Sequence, residues 1–167
     1  MMFKRLFLIV LVITTLGCSQ KENFMYLEKE DFIVSYPVSL SLTEEGDEGT
    51  VFVLRTSKED ENDSFVENIN LVTVNIGNLN FDSLTSKAII DIDKIADIIE
   101  NRRIKMKGSE CLRVIFQLSE QGKRIKVIQH FYVKEEKAYV LTFTSEERNF
   151  NKFFDKANSV LMSFRLK

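Results

Sequence analysis

The stretch from Glu110 to Thr144 reads ECLRVIFQLSEQGKRIKVIQHFYVKEEKAYVLTFT and decides the fold. β-Branched and aromatic residues dominate it, and polar clusters interrupt it twice. This pattern predicts antiparallel strands joined by short turns. The predicted strands are Glu110–Leu118, Lys123–Val133 and Ala138–Thr144, and the predicted turns are Ser119–Gly122 and Lys134–Lys137.

The turn of the first hairpin leaves two strand registers open. A symmetric loop puts Cys111 opposite His130, with Cβ atoms about 5 Å apart, so that a thiolate–imidazolium dyad is conceivable. A three-residue loop, with Gly122 in the left-handed conformation, instead places Cys111 beside Phe131. The glycine favours the second register, in which Cys111 is a small buried side chain without catalytic use.

Further strand signals precede this region, and two apolar helical stripes accompany it. The earlier predicted strands are Asp31–Tyr36, Val38–Leu42, Val51–Leu54 and Phe65–Ile76. The first stripe is Leu84, Ala88, Ile92, Ile95 and Ile99, with Asp82 or Ser83 as its N-cap. The second is Phe150, Phe153, Phe154, Ala157 and Leu161, with Ser145 as its N-cap. These elements predict an α+β fold: an antiparallel β-sheet of about six strands covered by helices on both faces, an α-β-α sandwich.

The amino-terminal residues predict export. Lys4 and Arg5 precede the apolar run Leu6–Ile13, and the small Gly17 precedes Cys18. Positive charge, an apolar core and a small residue follow one another in this order in secretory signal peptides. The run is too short to cross about 30 Å of hydrocarbon. An uncleaved membrane anchor is the alternative.

The ending Leu16-Gly17-Cys18 resembles the lipobox of bacterial lipoproteins. In that family the cysteine thiol carries the lipid and cleavage falls before it, so the resemblance implies that Cys18 is the lipidation site. Thr15 and Leu16 depart from the residues that the family prefers, and a plain secretory cleavage nearby is the alternative. The predicted organisation is therefore a signal peptide at 1–17, a short polar tether at 18–30 and a single domain at 31–167.

Composition narrows the classes of partner and of chemistry. Residues 18–167 hold 21 basic and 25 acidic side chains and no long basic run, so nucleic acid is not an expected partner. The chain has one histidine, His130, and neither a Gly-x-Ser-x-Gly elbow nor a Gly-rich phosphate loop. We therefore expect no catalytic residues, no metal and no cofactor. The acidic loop Glu59–Asp63 lacks the glycine and distal glutamate of an EF-hand, and we interpret it as a solvated loop.

Four short motifs resemble the PsbP/DcrB-like family over about Asp31 to Lys167. They are Phe32–Pro37 (FIVSYP), Glu67–Leu71 (ENINL), Gln129–Tyr132 (QHFY) and Ser163–Arg165 (SFR). The family's frequent tryptophan after the Tyr-Pro pair is replaced by Leu40. The resemblance implies an antiparallel sheet sandwiched by helices. It implies no common enzymatic activity, since the family's members are accessory or binding proteins.

Together these features predict a non-catalytic lipoprotein of the bacterial cell envelope. Acyl chains such as palmitate on Cys18 would hold it at the extracytoplasmic face of a membrane, where its domain meets a protein partner. The alternative is an extracytoplasmic carrier of a small ligand, held in a cleft between sheet and helix; a hydrolase ranks third. An exposed apolar patch favours the partner, whereas a deep cavity with a few convergent polar groups favours the carrier.

Overall fold

The computed structural model describes residues 22–44, 46, 49–58, 60, 61 and 63–167. The predicted signal peptide and Cys18 lie outside the described residues, and so do parts of the acidic stretches 44–48 and 59–63. Those described form ten strands and two helices. In chain order they are β1 (Phe24–Glu28), β2 (Phe32–Pro37), β3 (Ser41–Thr43), β4 (Thr50–Arg55), β5 (Asn68–Asn75), α1 (Phe81–Asp93), β6 (Asp97–Met106), β7 (Ser109–Glu120), β8 (Lys123–Lys134), β9 (Lys137–Glu146), α2 (Glu147–Ser163) and β10 (Arg165–Leu166).

The strands form two antiparallel sheets. The larger has seven strands in the order β3-β4-β5-β9-β8-β7-β6, and the smaller has three in the order β1-β2-β10. From β6 to β9 the chain runs through three successive hairpins, and β9 then pairs with β5. The predicted mixed α+β fold with an antiparallel sheet is confirmed, and the described strands outnumber the six expected.

The β7–β8 hairpin corrects both predicted registers. Glu120 pairs with Lys123, so the loop has only two residues, Gln121 and Gly122. Both have positive φ, 49° and 78°, as a type I′ turn requires. The favoured three-residue loop is therefore wrong, and so is the pairing of Cys111 with His130.

The ends of both helices differ from the predictions. The α1 helix begins earlier than a cap at Asp82 or Ser83 implies and ends earlier than its apolar stripe implies, whereas α2 begins later than a cap at Ser145 implies. Asn80 caps α1, since its side chain accepts a hydrogen bond from the Ser83 N–H at 2.9 Å. The helix ends at Asp93, so Ile95 and Ile99 are not part of it. The second helix starts at Glu147 rather than directly after Ser145, which is the penultimate residue of β9. Its predicted apolar stripe is confirmed, because each of those side chains is buried or packs against the core.

Three strands were not predicted: β1, β6 and the two-residue β10, which pairs with β2. β6 follows α1 and pairs with β7 along its length, and this pairing overrides the helical spacing of the isoleucines. β1 lies within the segment 18–30 that was expected to be a tether, and it pairs with β2 from Phe24↔Pro37 to Glu28↔Ile33. The polar leader of the described chain is thus confined to Glu22 and Asn23.

The core consists of two hydrophobic clusters. The larger includes the buried side chains of α2, of β2 and of Phe164, together with Tyr132, Leu141 and Phe143 of the large sheet. Phe164 is fully buried and lies 5.5 Å from the Phe32 ring and 5.0 Å from the Tyr132 ring, measured between centroids. The smaller cluster joins Ile92 and neighbouring residues of α1 to alternate side chains of β7 and β8.

Candidate functional site

The chain enters the domain at a fixed point. The backbone N–H of Val38 donates to the Asn23 carbonyl oxygen at 3.0 Å. The Glu22 carboxylate accepts from the Ser39 hydroxyl and forms an ion pair with Lys156 of α2 at 3.4 Å. Whatever precedes Glu22 is therefore attached to the surface formed by the β2–β3 turn and α2.

The exposed apolar side chains next to this entry point belong to β1 and to the following turn. Phe24 is 44% exposed, Met25 46%, Tyr26 72% and Val38 51%. Leu27 is the one buried residue of β1. Because side chains alternate along a strand, Phe24 and Tyr26 lie on the side opposite Leu27. Met25 lies on the same side as Leu27, and the name β1 surface is used below for Phe24, Tyr26 and the neighbouring Val38.

Among the described residues, neither helix combines the length and apolar composition needed to span a bilayer. Cys18, the predicted lipidation site, lies outside the described residues. Its position in the sequence is four residues before Glu22, so at most about 14 Å of extended chain separates it from the fixed entry point.

Cys111 and His130 do not form a dyad. The observed register places Arg113, rather than Cys111, opposite His130. Arg113 Nη1 donates to His130 Nε2 at 3.0 Å. Because a guanidinium can only donate, the ring proton is on Nδ1, which lies 3.4 Å from the Tyr132 hydroxyl. The Tyr132 hydroxyl also interacts with the Cys111 thiol.

Burial determines the protonation states of His130 and Cys111. His130 and Cys111 are both fully buried. Desolvation, together with the charges of Arg113 and Arg102, lowers the pKa of His130 to about 3. Desolvation raises the pKa of the Cys111 thiol to about 12, which outweighs its hydrogen bond from Tyr132 and the charge of Arg113. At neutral pH both groups are uncharged, and the thiol is neither accessible nor ionised as a nucleophile must be.

Arg113 is the buried charge that organises this region. Its side chain is 7% exposed, and Nε lies 3.3 Å from Glu100 Oε1, which is also 2.9 Å from Arg102 Nε. The groups are close enough to form ion pairs, but the N–H bonds do not point at Glu100 Oε1 and therefore do not form hydrogen bonds. Asn158 of α2 accepts from Arg113 Nη1 at 3.5 Å. The contacts link β6, β7, β8 and α2, so their function is to hold these elements together.

A second buried polar group lies between α2 and the large sheet. The Glu67 side chain is 1% exposed, and its Oε1 accepts from the Ser145 hydroxyl at 3.3 Å and from the Asn149 amide at 3.2 Å. Its Oε2 has no partner. The Glu67 side chain lines a small cavity together with Lys156 and with residues that are mainly apolar. The volume open to the centre of a water molecule is about 10 Å³, roughly what a single water requires.

The described part of the chain contains no cluster of side chains that could bind a metal ion. No three His, Cys, Asp or Glu side chains lie close enough there to hold an ion. Of the acidic loop, Glu59 and Asn62 lie outside the described residues. Asp63 accepts a hydrogen bond from the Phe65 N–H at 3.1 Å, which is the geometry of a local turn.

Sequence reasoning missed both Arg113 and Glu67. Arg113 did carry a signal, since it is a cation between Leu112 and Val114 in a strand that is otherwise apolar. Buried charges in such positions need a partner. Glu67 lies between Val66 and Asn68 at the start of a predicted strand, where an exposed carboxylate is expected, and the approach of β9 and α2 buries it.

No family model and no curated protein matches the chain. Solved structures do match. LpqN, which is involved in cell envelope biogenesis of Mycobacterium tuberculosis, aligns with a TM-score of 0.68 and 12% identity over 88% of this chain and 92% of that one. The cyanobacterial PsbP (CyanoP) of Synechocystis sp. PCC 6803 aligns with a TM-score of 0.63 and 13% identity over 93% and 99%. PA94, a Pseudomonas aeruginosa protein of unknown function, gives 0.60 and 9% over 84% and 94%. At these identities the likeness concerns the fold, and the chain has a PsbP-like fold.

Proposed function

We propose that this protein is a non-catalytic lipoprotein of the bacterial cell envelope, anchored by acyl chains on Cys18 and acting as a binding module for a protein partner. The observation that carries the proposal is the boundary Leu16-Gly17-Cys18, which ends an apolar run four residues before the fixed entry of the domain at Glu22. The likeness to LpqN agrees with a place in the envelope. Two or more acyl chains make such attachment durable.

The proposal treats the domain as a sandwich with a helix on each face of the large sheet. Side chains of α1 pack with Leu112, Val114 and Phe116 of β7, whereas those of α2 belong to the cluster that contains Cys111. Successive residues of a strand point to opposite faces. The alternation therefore supports opposite placement of the two helices.

A surface suited to a protein partner lies on the large sheet beside α1. That helix packs mainly on β6, β7 and β8. On the neighbouring strands, Asn70 pairs with Thr142 and Val72 with Val140, and all four side chains are only partly buried, while Val74 is 49% exposed. A surface of mixed apolar and uncharged polar groups is typical of the central part of protein interfaces.

The absence of a catalytic role is part of the proposal. It is supported by the register, which places Arg113 rather than Cys111 opposite His130, and by the use of His130 as the acceptor for Arg113. A general base must reach the proton that it abstracts. A fully buried imidazole that already accepts a hydrogen bond from a guanidinium is not placed for that task.

A small-ligand carrier is the second candidate, and Glu67 Oε2 is the observation in its favour. An unpartnered buried carboxylate oxygen in a cleft between sheet and helix is the kind of group that orients a ligand. The size of the cavity opposes it, since ligand pockets typically measure about 300–1,000 Å³. Native mass spectrometry of protein purified from its own membranes tests this candidate: a bound small molecule that Glu67→Gln releases favours the carrier.

Anchoring is tested by expressing the full chain in a bacterium and separating membranes from the soluble extracytoplasmic fraction. The wild-type protein should sediment with membranes and resist extraction by high salt. Cys18→Ala should shift it to the soluble fraction or leave the precursor unprocessed. Equal membrane association of both proteins contradicts lipid anchoring at Cys18.

The partner surface is tested by photo-crosslinking in intact cells. A photoreactive residue in place of Val72 should give one defined protein adduct, and Thr142→Arg should abolish that adduct. A photoreactive residue in place of Lys87, whose side chain is 68% exposed on α1, is the matched control. The same adducts from positions 72 and 87 would contradict the assignment of this surface.

A further inference from the structure

Among the four edge strands of the two described sheets, β1 and β6 differ in how they are protected. An exposed edge strand invites pairing with other chains, and proteins usually counter this with charges, bulges or short strands. β6 has Arg102, Arg103 and Lys105 and a bulge between Ile98 and Glu100. β1 has the sequence FMYLE, so three exposed apolar side chains precede its single terminal charge. Within the described residues, nothing covers the outward side of β1.

The position of the chain entry indicates what meets this strand. Glu22 and Asn23 hydrogen-bond to Ser39 and Val38, so the described chain enters β1 at a fixed point on the domain surface. Cys18 lies within about 14 Å of that point. An acyl anchor there would keep β1, the first element after it, close to the bilayer surface.

We propose that the β1 surface, formed by Phe24, Tyr26 and Val38, lies in the headgroup region of the membrane that holds the acyl chains of Cys18. This inference rests on the proposed lipid anchor. Aromatic side chains with a polar tip, such as tyrosine, favour the boundary between lipid and water. The Glu22–Lys156 ion pair at the same place has no net charge, so the exposed apolar side chains carry the inference.

The charges around β1 are compatible with this orientation. Glu28 is paired with Lys167 at 2.8 Å, and Lys29 is paired with Glu44. Glu30, in the β1–β2 turn, is an exposed carboxylate for which the described residues provide no ion pair, and it lies at the opposite end of β1 from the chain entry. The exposed apolar residues elsewhere include Ile95 at 72%, which directly follows α1, and Met162 at 42% on α2.

The absence of tryptophan from the chain provides a direct test. Tyr26→Trp introduces one reporter at the β1 surface, and Ile95→Trp introduces one at a site of equal exposure, 72%, beside α1. Full-length lipidated protein, extracted from membranes, is reconstituted into vesicles of phosphatidylethanolamine and phosphatidylglycerol, with or without lipids brominated near the headgroup. Flotation of the vesicles first establishes that each variant is bound, and Val38→Trp provides a second position on the same surface.

The proposal predicts blue-shifted emission and quenching by brominated lipid for Tyr26→Trp and Val38→Trp, with neither effect for Ile95→Trp. Protein that floats with vesicles but shows equal quenching at all three positions, or none, overturns the inference and leaves the anchor intact. An unquenched blue shift that grows with the protein-to-lipid ratio assigns the surface to a second copy and also overturns it. Protein that does not float at all refutes the lipid anchor itself.

Discussion

Acidification should destabilise this protein through His130. In the unfolded chain this imidazole takes up a proton below its ordinary pKa of about 6.5, whereas burial and the neighbouring charges lower its pKa in the folded state to about 3. Between these values only the unfolded chain binds the proton. The stability that depends on an uncharged His130 is therefore complete above about pH 6.5 and is lost as the pH falls towards 3.

The expected loss between pH 7 and pH 5 is about 2 kcal/mol of the free energy of unfolding. Urea denaturation at both pH values measures it, and His130→Gln is the control. Glutamine keeps an acceptor for Arg113 but does not titrate, while all carboxylates titrate alike in both proteins. The difference in pH dependence between the two proteins isolates the imidazole. Equal slopes in the wild type and His130→Gln would refute the assignment of His130 as a buried, uncharged group.

Three further perturbations have definite expected results. Phe164→Ala should lower the free energy of unfolding by about 3–5 kcal/mol, because it removes a fully buried ring from the core, whereas Tyr26→Ala should change it by less than about 0.5 kcal/mol. Chemical denaturation distinguishes the two, and a similar cost for both would contradict the burial pattern. Cys111 should resist alkylation at pH 8 until the protein unfolds; rapid modification of the folded protein would disprove the raised thiol pKa. Gln121→Asn should stabilise the β7–β8 hairpin by up to about 1 kcal/mol, since asparagine tolerates positive φ and precedes Gly122; a loss of stability on thermal unfolding would contradict the turn type.

The hairpin region illustrates how far sequence alone leads. Alternating apolar residues predicted β7, β8 and β9, and the structure confirms all three. The favoured register was wrong, although the sequence held the information to reject it. That register pairs Phe116 with Lys126, and a one-residue slip moves a whole apolar set to the other face. The observed register pairs Phe116 with Val127 and Leu118 with Ile125.

The other errors arose where tertiary pairing overrides local pattern. Ile95 and Ile99 continue the spacing of a helix, but β7 offers backbone partners to β6 from Asp97 onward. β1 is short, follows polar residues and buries only Leu27, so its periodicity is too weak to identify a strand. A single sequence does not contain these long-range contacts in readable form.

The motifs that carried the family resemblance proved to be points of contact between elements. The Ser163 hydroxyl accepts from the Ser35 N–H and donates to the Ser35 carbonyl oxygen, both at 2.9 Å, so two of the quoted motifs meet at the end of α2. His130 and Glu67 come from the other two motifs, and both are buried. His130 accepts a hydrogen bond from Arg113, and Glu67 accepts one from Ser145. Residues with such functions specify a fold, which explains why the resemblance predicted the fold class.

The central claim is that Cys18 carries lipid, and the amino-terminal peptide of the protein extracted from membranes tests it most directly. Mass spectrometry of that peptide should find Cys18 as the first residue, with the added mass of a diacylglyceryl group. A mature terminus elsewhere, or a Cys18 peptide without acyl mass, would contradict the account of how this domain is held at the membrane.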